Sequence, residues 1–330
     1  MSEQLLNEIE AAGERLSRVR EMVARRVIGQ RAVVDLSLAA ILSGGHGLLV
    51  GAPGLAKTLL VETLGTVLGL SANRVQFTPD LMPADILGAE VLETAPDGSR
   101  AFRFIEGPIF CQLLMADEIN RAGPRTQSAL LQAMQERHVS IAGARRDLPA
   151  PFHVLATQNP IEQEGTYPLP EAQLDRFLFQ IDVDYPERED ERAILMATTG
   201  AESAGIEGVL SAAELMAMQD TLRRMPVGDA VVEAILDLVR AARPGADAEV
   251  TRDVAWGPGP RAAQALMLGV RARALLDERL APDLGDVAAL AGPVLQHRMA
   301  LTYAARAEGV TLDATIARLV ERQVGLADAA

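Results

Sequence analysis

Eight consecutive residues, Gly51-Ala52-Pro53-Gly54-Leu55-Ala56-Lys57-Thr58, have the types and spacing to hold a polyphosphate. Glycines let successive backbone N–H groups curl around a β-phosphate, and a helix opening behind the loop adds positive potential. Lys57 would reach the β- and γ-phosphates, and Thr58 would ligate Mg2+. One position departs from Gly-x4-Gly-Lys-[Ser/Thr]: the residue before the lysine is Ala56, whose methyl narrows the loop slightly. A second group, Asp117-Glu118, closes the apolar run LLMA sixty residues after the lysine. The first acid can hold the shell of a Mg2+ ion, and the next can orient and deprotonate a water for in-line attack.

Composition supports the same site independently. Of 31 basic residues, only Lys57 is lysine, and the rest are arginine. Arginine serves wherever a generic positive charge suffices, whereas an ammonium is compact and carries three rotatable donors that fit between two phosphates.

These residues need a scaffold of alternating strands and helices. Short apolar runs at 48–50 (LLV), 75–77 (VQF), 113–116 (LLMA), 153–157 (HVLAT) and 177–183 (FLFQIDV) read as buried parallel strands joined by helices. The first leads through the glycine loop into a helix with Ala56, Leu60, Leu64 and Val67 on one face. This is a doubly wound α/β pattern. Two stretches interrupt it: about 80–108, with the turn Pro96-Asp97-Gly98 between EVLE and RAFRF, and about 138–151, where HVSIAG alternates. In the first, Phe102 and Phe104 stand at period two, either as a gripping edge or as a packing face.

Three regions follow. Residues 1–26 form an amphipathic helix with Leu5, Ile9, Ala12, Leu16, Val19 and Val23 on one stripe, expected to pack on the body. Residues 27–185 form the α/β core with its two hairpin inserts. Beyond Tyr185-Pro186 the strands stop, and residues 186–330 read as helices divided by PVG, GPGP and APD, ending in a frayed ADAA.

The charge of −14 argues against a non-specific nucleic-acid binder, which needs a clustered basic face. One cysteine, Cys111, excludes an intrachain disulfide and a CxxC zinc site and reads as a packing residue. The four histidines (His46, His138, His153 and His297) lack metal-ligand spacing. No apolar run reaches 18 residues and the N-terminus begins polar, so a cytoplasmic location without signal peptide or membrane span is expected.

VIGQ (27–30), GAPGLAKT (51–58), MADEINRA (115–122), ATQNP (156–160), EGTYPLPEAQLDRF (164–177) and GPGPRA (257–262) together resemble the MoxR family of AAA+ ATPases. The resemblance spans nearly the whole chain and tolerates alanine before the lysine. It implies a P-loop core, a five-stranded parallel sheet between helices, with a C-terminal all-helical lid. It also implies ATP and Mg2+ as ligands and a homo-oligomeric ring, a hexamer, that hydrolyses ATP at subunit interfaces to remodel a protein client. A partner with a von Willebrand factor A domain fits that pattern, and the two inserts would line the pore. Asn159 resembles sensor 1, which holds the attacking water, and Arg176 the finger presented to a neighbouring subunit, with Arg125, Arg137 and Arg145 as rivals. Arg261 resembles sensor 2, bringing the lid onto the γ-phosphate, and Val27 and Ile28 the contact to adenine. A DNA-acting motor and a nucleotide-gated scaffold with little turnover are the alternatives.

Overall fold

In the computed structural model, residues 2–94, 99–162, 165–200 and 205–325 are described. The Pro96-Asp97-Gly98 turn and the ADAA end lie outside them. The chain begins with α1 (Glu3–Ala24) and α2 (Arg31–Leu42), then β1 (Gly47–Gly51), α3 (Lys57–Val67) and β2 (Ala72–Gln76). The first insert follows: α4 (Pro83–Leu87) and the antiparallel hairpin β3 (Gly88–Thr94) and β4 (Arg100–Glu106). After β5 (Leu113–Asp117) and α5 (Pro124–Glu136) comes the second hairpin, β6 (His138–Ile141) and β7 (Ala144–Asp147), then β8 (His153–Gln158), α6 (Glu171–Leu174) and β9 (Phe179–Val183).

All five expected core strands are present, and they pair in parallel in the order β2-β5-β8-β1-β9. Leu49 stands opposite Thr157 and Gln76 opposite Asp117. That register brings the C-terminal ends of β1, β5 and β8 to one rim, where open α/β sheets bind ligands. One expectation needs revision: β2 is not a buried strand. Only Val75 is buried there, because β2 is the sheet edge and its polar residues face solvent and the rim.

The helical C-terminal region comprises α7 (Arg188–Thr198), α8 (Ala212–Arg224), α9 (Asp229–Ala241), α10 (Ala248–Asp253), α11 (Pro260–Leu276), α12 (Leu284–Leu295), α13 (Tyr303–Ala307) and α14 (Leu312–Val324). Strands do not stop wholly at residue 186, since Val254–Trp256 and Ala300–Leu301 make a two-stranded antiparallel ribbon. Segments of three and two residues are too short to register as a period-two pattern.

One apolar cluster joins the parts. The α1 stripe Ile9, Ala12, Leu16, Val19 and Val23 is buried with Leu49 and Leu64 of the core and Leu266 and Leu290 of the C-terminal region. Arg20 of α1 donates to Asp35 of α2 at 2.7 Å and to the Leu276 carbonyl at 2.6 Å, so α1 is fixed at both ends of that contact. Among the described residues, no helix is long and apolar enough to cross a membrane.

Candidate functional site

The glycine loop is shaped by its neighbours as well as by any ligand. A Cβ on Gly51 would meet the Val183 carbonyl oxygen at 2.4 Å, so close approach of β9 excludes every larger residue there. Ala56 adopts φ 57° and ψ 18°, the left-handed region, as the N-cap of α3. It therefore lies outside the apolar stripe to which periodicity assigns it, and it is exposed. Glycine at this position in the general motif has a backbone reason: a left-handed L-residue costs roughly 1–2 kcal/mol.

Lys57 opens α3. Its Nζ donates to the carbonyl oxygens of Gly51 at 2.7 Å and Ala52 at 2.6 Å. Burial pulls the ammonium pKa below its ordinary value, while the nearby Asp117 and Glu118 carboxylates act in the opposite direction. A cleft of about 430 Å³ joins this lysine and Thr58 to Arg74 and Gln76 of β2, to the Asp117-Glu118 pair and to Asn159.

The carboxylates are held in a network. Thr157 donates to Asp117 Oδ1 at 2.6 Å and accepts from the Glu118 amide at 2.8 Å. Arg74 donates to Asp117 Oδ2 from Nη2 at 2.6 Å and from Nε at 3.2 Å. Glu118, at φ 55°, turns sharply out of the strand. Its Oε2 accepts from Gln76 at 2.8 Å and lies 2.9 Å from Arg121 Nε; Arg121 also pairs with Glu162. At the rim beyond β8, Asn159 accepts from the Ile161 amide at 3.1 Å and donates weakly to Glu162 at 3.5 Å.

A divalent cation fits this donor set. Thr58 and Asp117 line one cleft with hard oxygen donors, and among the described residues the Thr58 hydroxyl has no hydrogen-bond partner.

A second pocket of about 370 Å³ shares Gly54, Leu55, Ala56 and Leu59 with the first and adds Val27, Ile28 and Ile194. It offers an apolar slot for a flat ring on the far side of the loop.

Arg176 and Arg261 are not brought to the Lys57 cleft. Both line a different pocket of about 220 Å³. Arg261 lies 3.4 Å from Asp175 Oδ2, because the start of α11 packs on the segment between α6 and β9. The expected approach of Arg261 to the phosphates of its own chain therefore differs from the arrangement found. Arg176 is half-buried, and among the described residues its guanidinium has no hydrogen-bond or ion-pair partner. Of its rivals, Arg145 is tied to Asp147 at 2.8 Å and Arg137 donates to the Gly44 carbonyl at 3.3 Å. Arg125 is exposed on α5.

Phe102 and Phe104 part company. Phe104 packs edge-on to Phe110 and lies under the Arg146 guanidinium, 3.8 Å from its ring centre, whereas Phe102 is 72% exposed. Arg74, Gln76, Arg121 and Thr157 escape a reading of the sequence alone. Period-two spacing does put Arg74 and Gln76 on one face of β2, a usable signal once its partner strand is known.

With that geometry in place, comparison with known proteins gives the class. Residues 46–179 match the model of the ATPase family associated with various cellular activities (AAA), and residues 246–319 match the AAA lid domain. A solved structure of a putative ATPase from Cytophaga hutchinsonii superposes with a TM-score of 0.88 at 34% identity, covering 96% of each chain. Chaperone MoxR1 of Mycobacterium tuberculosis is 43% identical over 91% of this chain and 79% of its own length. An uncharacterized protein of Bacillus subtilis, YeaC, is 38% identical over 92% and 93%. Protein MoxR of Paracoccus denitrificans is 33% identical over 84% and 86%. The chain belongs to the MoxR family of AAA+ ATPases.

Proposed function

We propose that this chain binds Mg·ATP in the Lys57 cleft and hydrolyses it between the subunits of a homo-oligomeric ring, a hexamer, to remodel a protein client. The observation that carries the reading is the meeting of Lys57, Thr58, Asp117, Glu118 and Asn159 in one cleft contiguous with the Val27–Ile28 slot. Residues 51–58 cradle the phosphates, Lys57 spans the β- and γ-groups, and the adenine occupies the apolar slot. Thr58 and Asp117 hold Mg2+, which when bound neutralises charge on the transferring phosphoryl group. Glu118 accepts the proton of the attacking water, and Asn159 orients that water.

Arg176 and Arg261, sharing a pocket remote from their own cleft, serve the nucleotide of the adjacent subunit. Among the described residues the Arg176 guanidinium has no partner, which suits it to that role, since an anion from outside completes its hydrogen bonding. Residues 1–26, 27–185 and 186–330 then act as brace, motor and lid. Phe102, projecting from the first hairpin, touches the client, and a protein with a von Willebrand factor A domain is the class of partner. The reading places the ring in the cytoplasm. Its test is steady-state phosphate release by the purified chain with ATP and Mg2+. Glu118→Gln should lose roughly 10²–10⁴-fold in turnover while still binding nucleotide, and unchanged turnover would remove Glu118 as the base.

A further inference from the structure

Both oxygens of Asp117 are already in use. Oδ1 accepts from Thr157, which lies in the core of the sheet, and Oδ2 accepts two bonds from Arg74. Thr157 is fully buried, whereas the Arg74 side chain is 48% exposed and reaches the site from the edge strand. Only one of these partners can leave without disturbing the core. Arg74 is also the group on which a second contact depends. Its Nη2 donates to Gln76 Oε1 at 3.0 Å, which turns the Gln76 amide nitrogen toward Glu118. Asp117, Arg74, Gln76 and Glu118 thus form one chain of hydrogen bonds along the rim. The other cations facing the carboxylates are Arg121, bonded to Glu118, and Lys57, whose ammonium is engaged with two loop carbonyls.

We propose that Arg74 is a resident stand-in cation at Asp117, which must withdraw for a divalent ion to be held there. The inference rests on the ATPase reading above and adds to it a competitor for the metal's place at Asp117. A guanidinium is apt for this place. It offers a fork that matches a carboxylate edge, yet at half exposure such a pair is worth little and exchanges readily. The arrangement keeps Asp117 neutralised when no metal is held, so that two adjacent carboxylates do not face each other bare.

Binding of a fluorescent ADP analogue to the full-length chain, titrated with EDTA and again with excess Mg2+, tests the proposal. Arg74→Gln is expected to tighten binding in Mg2+ roughly fivefold, the upper range for a partly exposed ion pair, while the EDTA value moves by less than about twofold. Arg74→Lys, which keeps the charge at a single point of contact, should fall between wild type and Arg74→Gln. Weaker binding in EDTA would mean that Arg74 touches the phosphates directly, and unchanged binding in both media would mean that the pair only supports the fold. Either result overturns the proposal, as does a Lys variant that tightens as much as the Gln variant. Failure of the wild type to bind nucleotide in either medium would overturn the ATPase reading and the stand-in role with it. Normal wild-type binding without the Arg74 effect removes only the latter.

Discussion

Two arginine–aspartate pairs in this molecule have similar contact distances and opposite designs. Arg74 approaches Asp117 at 2.6 Å and Arg298 approaches Asp175 at 2.8 Å. The Arg74 side chain is 48% exposed and bonds to one carboxylate oxygen and one amide oxygen, whereas that of Arg298 is 2% exposed. Besides Asp175 Oδ1, Arg298 donates to the carbonyls of Asp175, Phe177, Leu178 and Val294 and to His297 Nε2. Burial pulls the Arg298 pKa down and the Asp175 carboxylate opposes that pull. A buried guanidinium survives only when its donors are satisfied, and losing one partner then leaves an uncompensated charge. The contrast teaches that burial and the number of bonds, more than distance, separate a fixed joint from an exchangeable contact. Arg298 joins the helical region to the backbone on either side of Arg176, just before core strand β9.

The largest expected effect lies on the exchangeable side. Lys57→Arg conserves charge but places a broad planar group where two carbonyls now receive an ammonium. Phosphate release should fall about 10²–10³-fold, the scale for losing one preorganised electrostatic contact. Near-normal turnover would show that charge alone suffices in the cleft.

Acid should attack the fixed side. Burial lowers the pKa of His46 to about 3, His153 to about 4 and His297 to about 3, from an ordinary 6.5. His46 is bound as the neutral ring: its Nδ1 accepts from the Val154 amide at 3.0 Å and its Nε2 donates to the Met134 carbonyl at 3.2 Å. The unfolded chain takes up these protons first. Stability is therefore full above about pH 6.5 and falls as pH drops toward 4 and 3, by up to roughly 1.4 kcal/mol per unit per histidine. Urea midpoints measured between pH 8 and pH 5 check this. A flat profile would mean that these rings titrate normally.

Substituting the two arginines themselves sharpens the comparison further. Arg298→Met, which leaves Asp175 only its longer contact to Arg261 and strips a donor from the carbonyls of Asp175, Phe177, Leu178 and Val294, should cost about 3–5 kcal/mol and lower the melting temperature by roughly 10 °C. Arg74→Gln should cost under about 1 kcal/mol. Equal losses in thermal unfolding would erase the distinction. The smallest effect is expected at Ala56, where glycine relieves a left-handed alanine at a similar entropic cost. Ala56→Gly should change stability by about 1 kcal/mol or less, in the stabilising direction.

Legibility follows locality. The loop at 51–58 and the Asp117-Glu118 pair are legible because each places its chemistry within a few consecutive residues. Four of the five parallel strands are legible because a buried strand is a continuous apolar run, whereas the edge strand β2 buries only Val75. Arg74 is not, since nothing in NRVQF distinguishes it from the other arginines until the register sets Gln76 opposite Asp117. Arg298 acquires most of its partners from residues more than a hundred positions away, at 175–178. The positions of Arg176 and Arg261 depend on how α11 seats against the core, a packing outcome that no short pattern encodes. Helical periodicity misplaces Ala56 because a left-handed cap continues the spacing of a helix without belonging to it.

The solitary lysine has a practical corollary for anyone handling this protein. Apart from the chain terminus, an amine-directed reagent finds one target, and burial favours the reactive neutral form of that amine. A lysine-specific protease likewise has a single bond to cut, immediately after residue 57, where the loop becomes α3. Labelling and cleavage at that one point each report occupancy of the phosphate loop directly, by shielding, with no engineered probe.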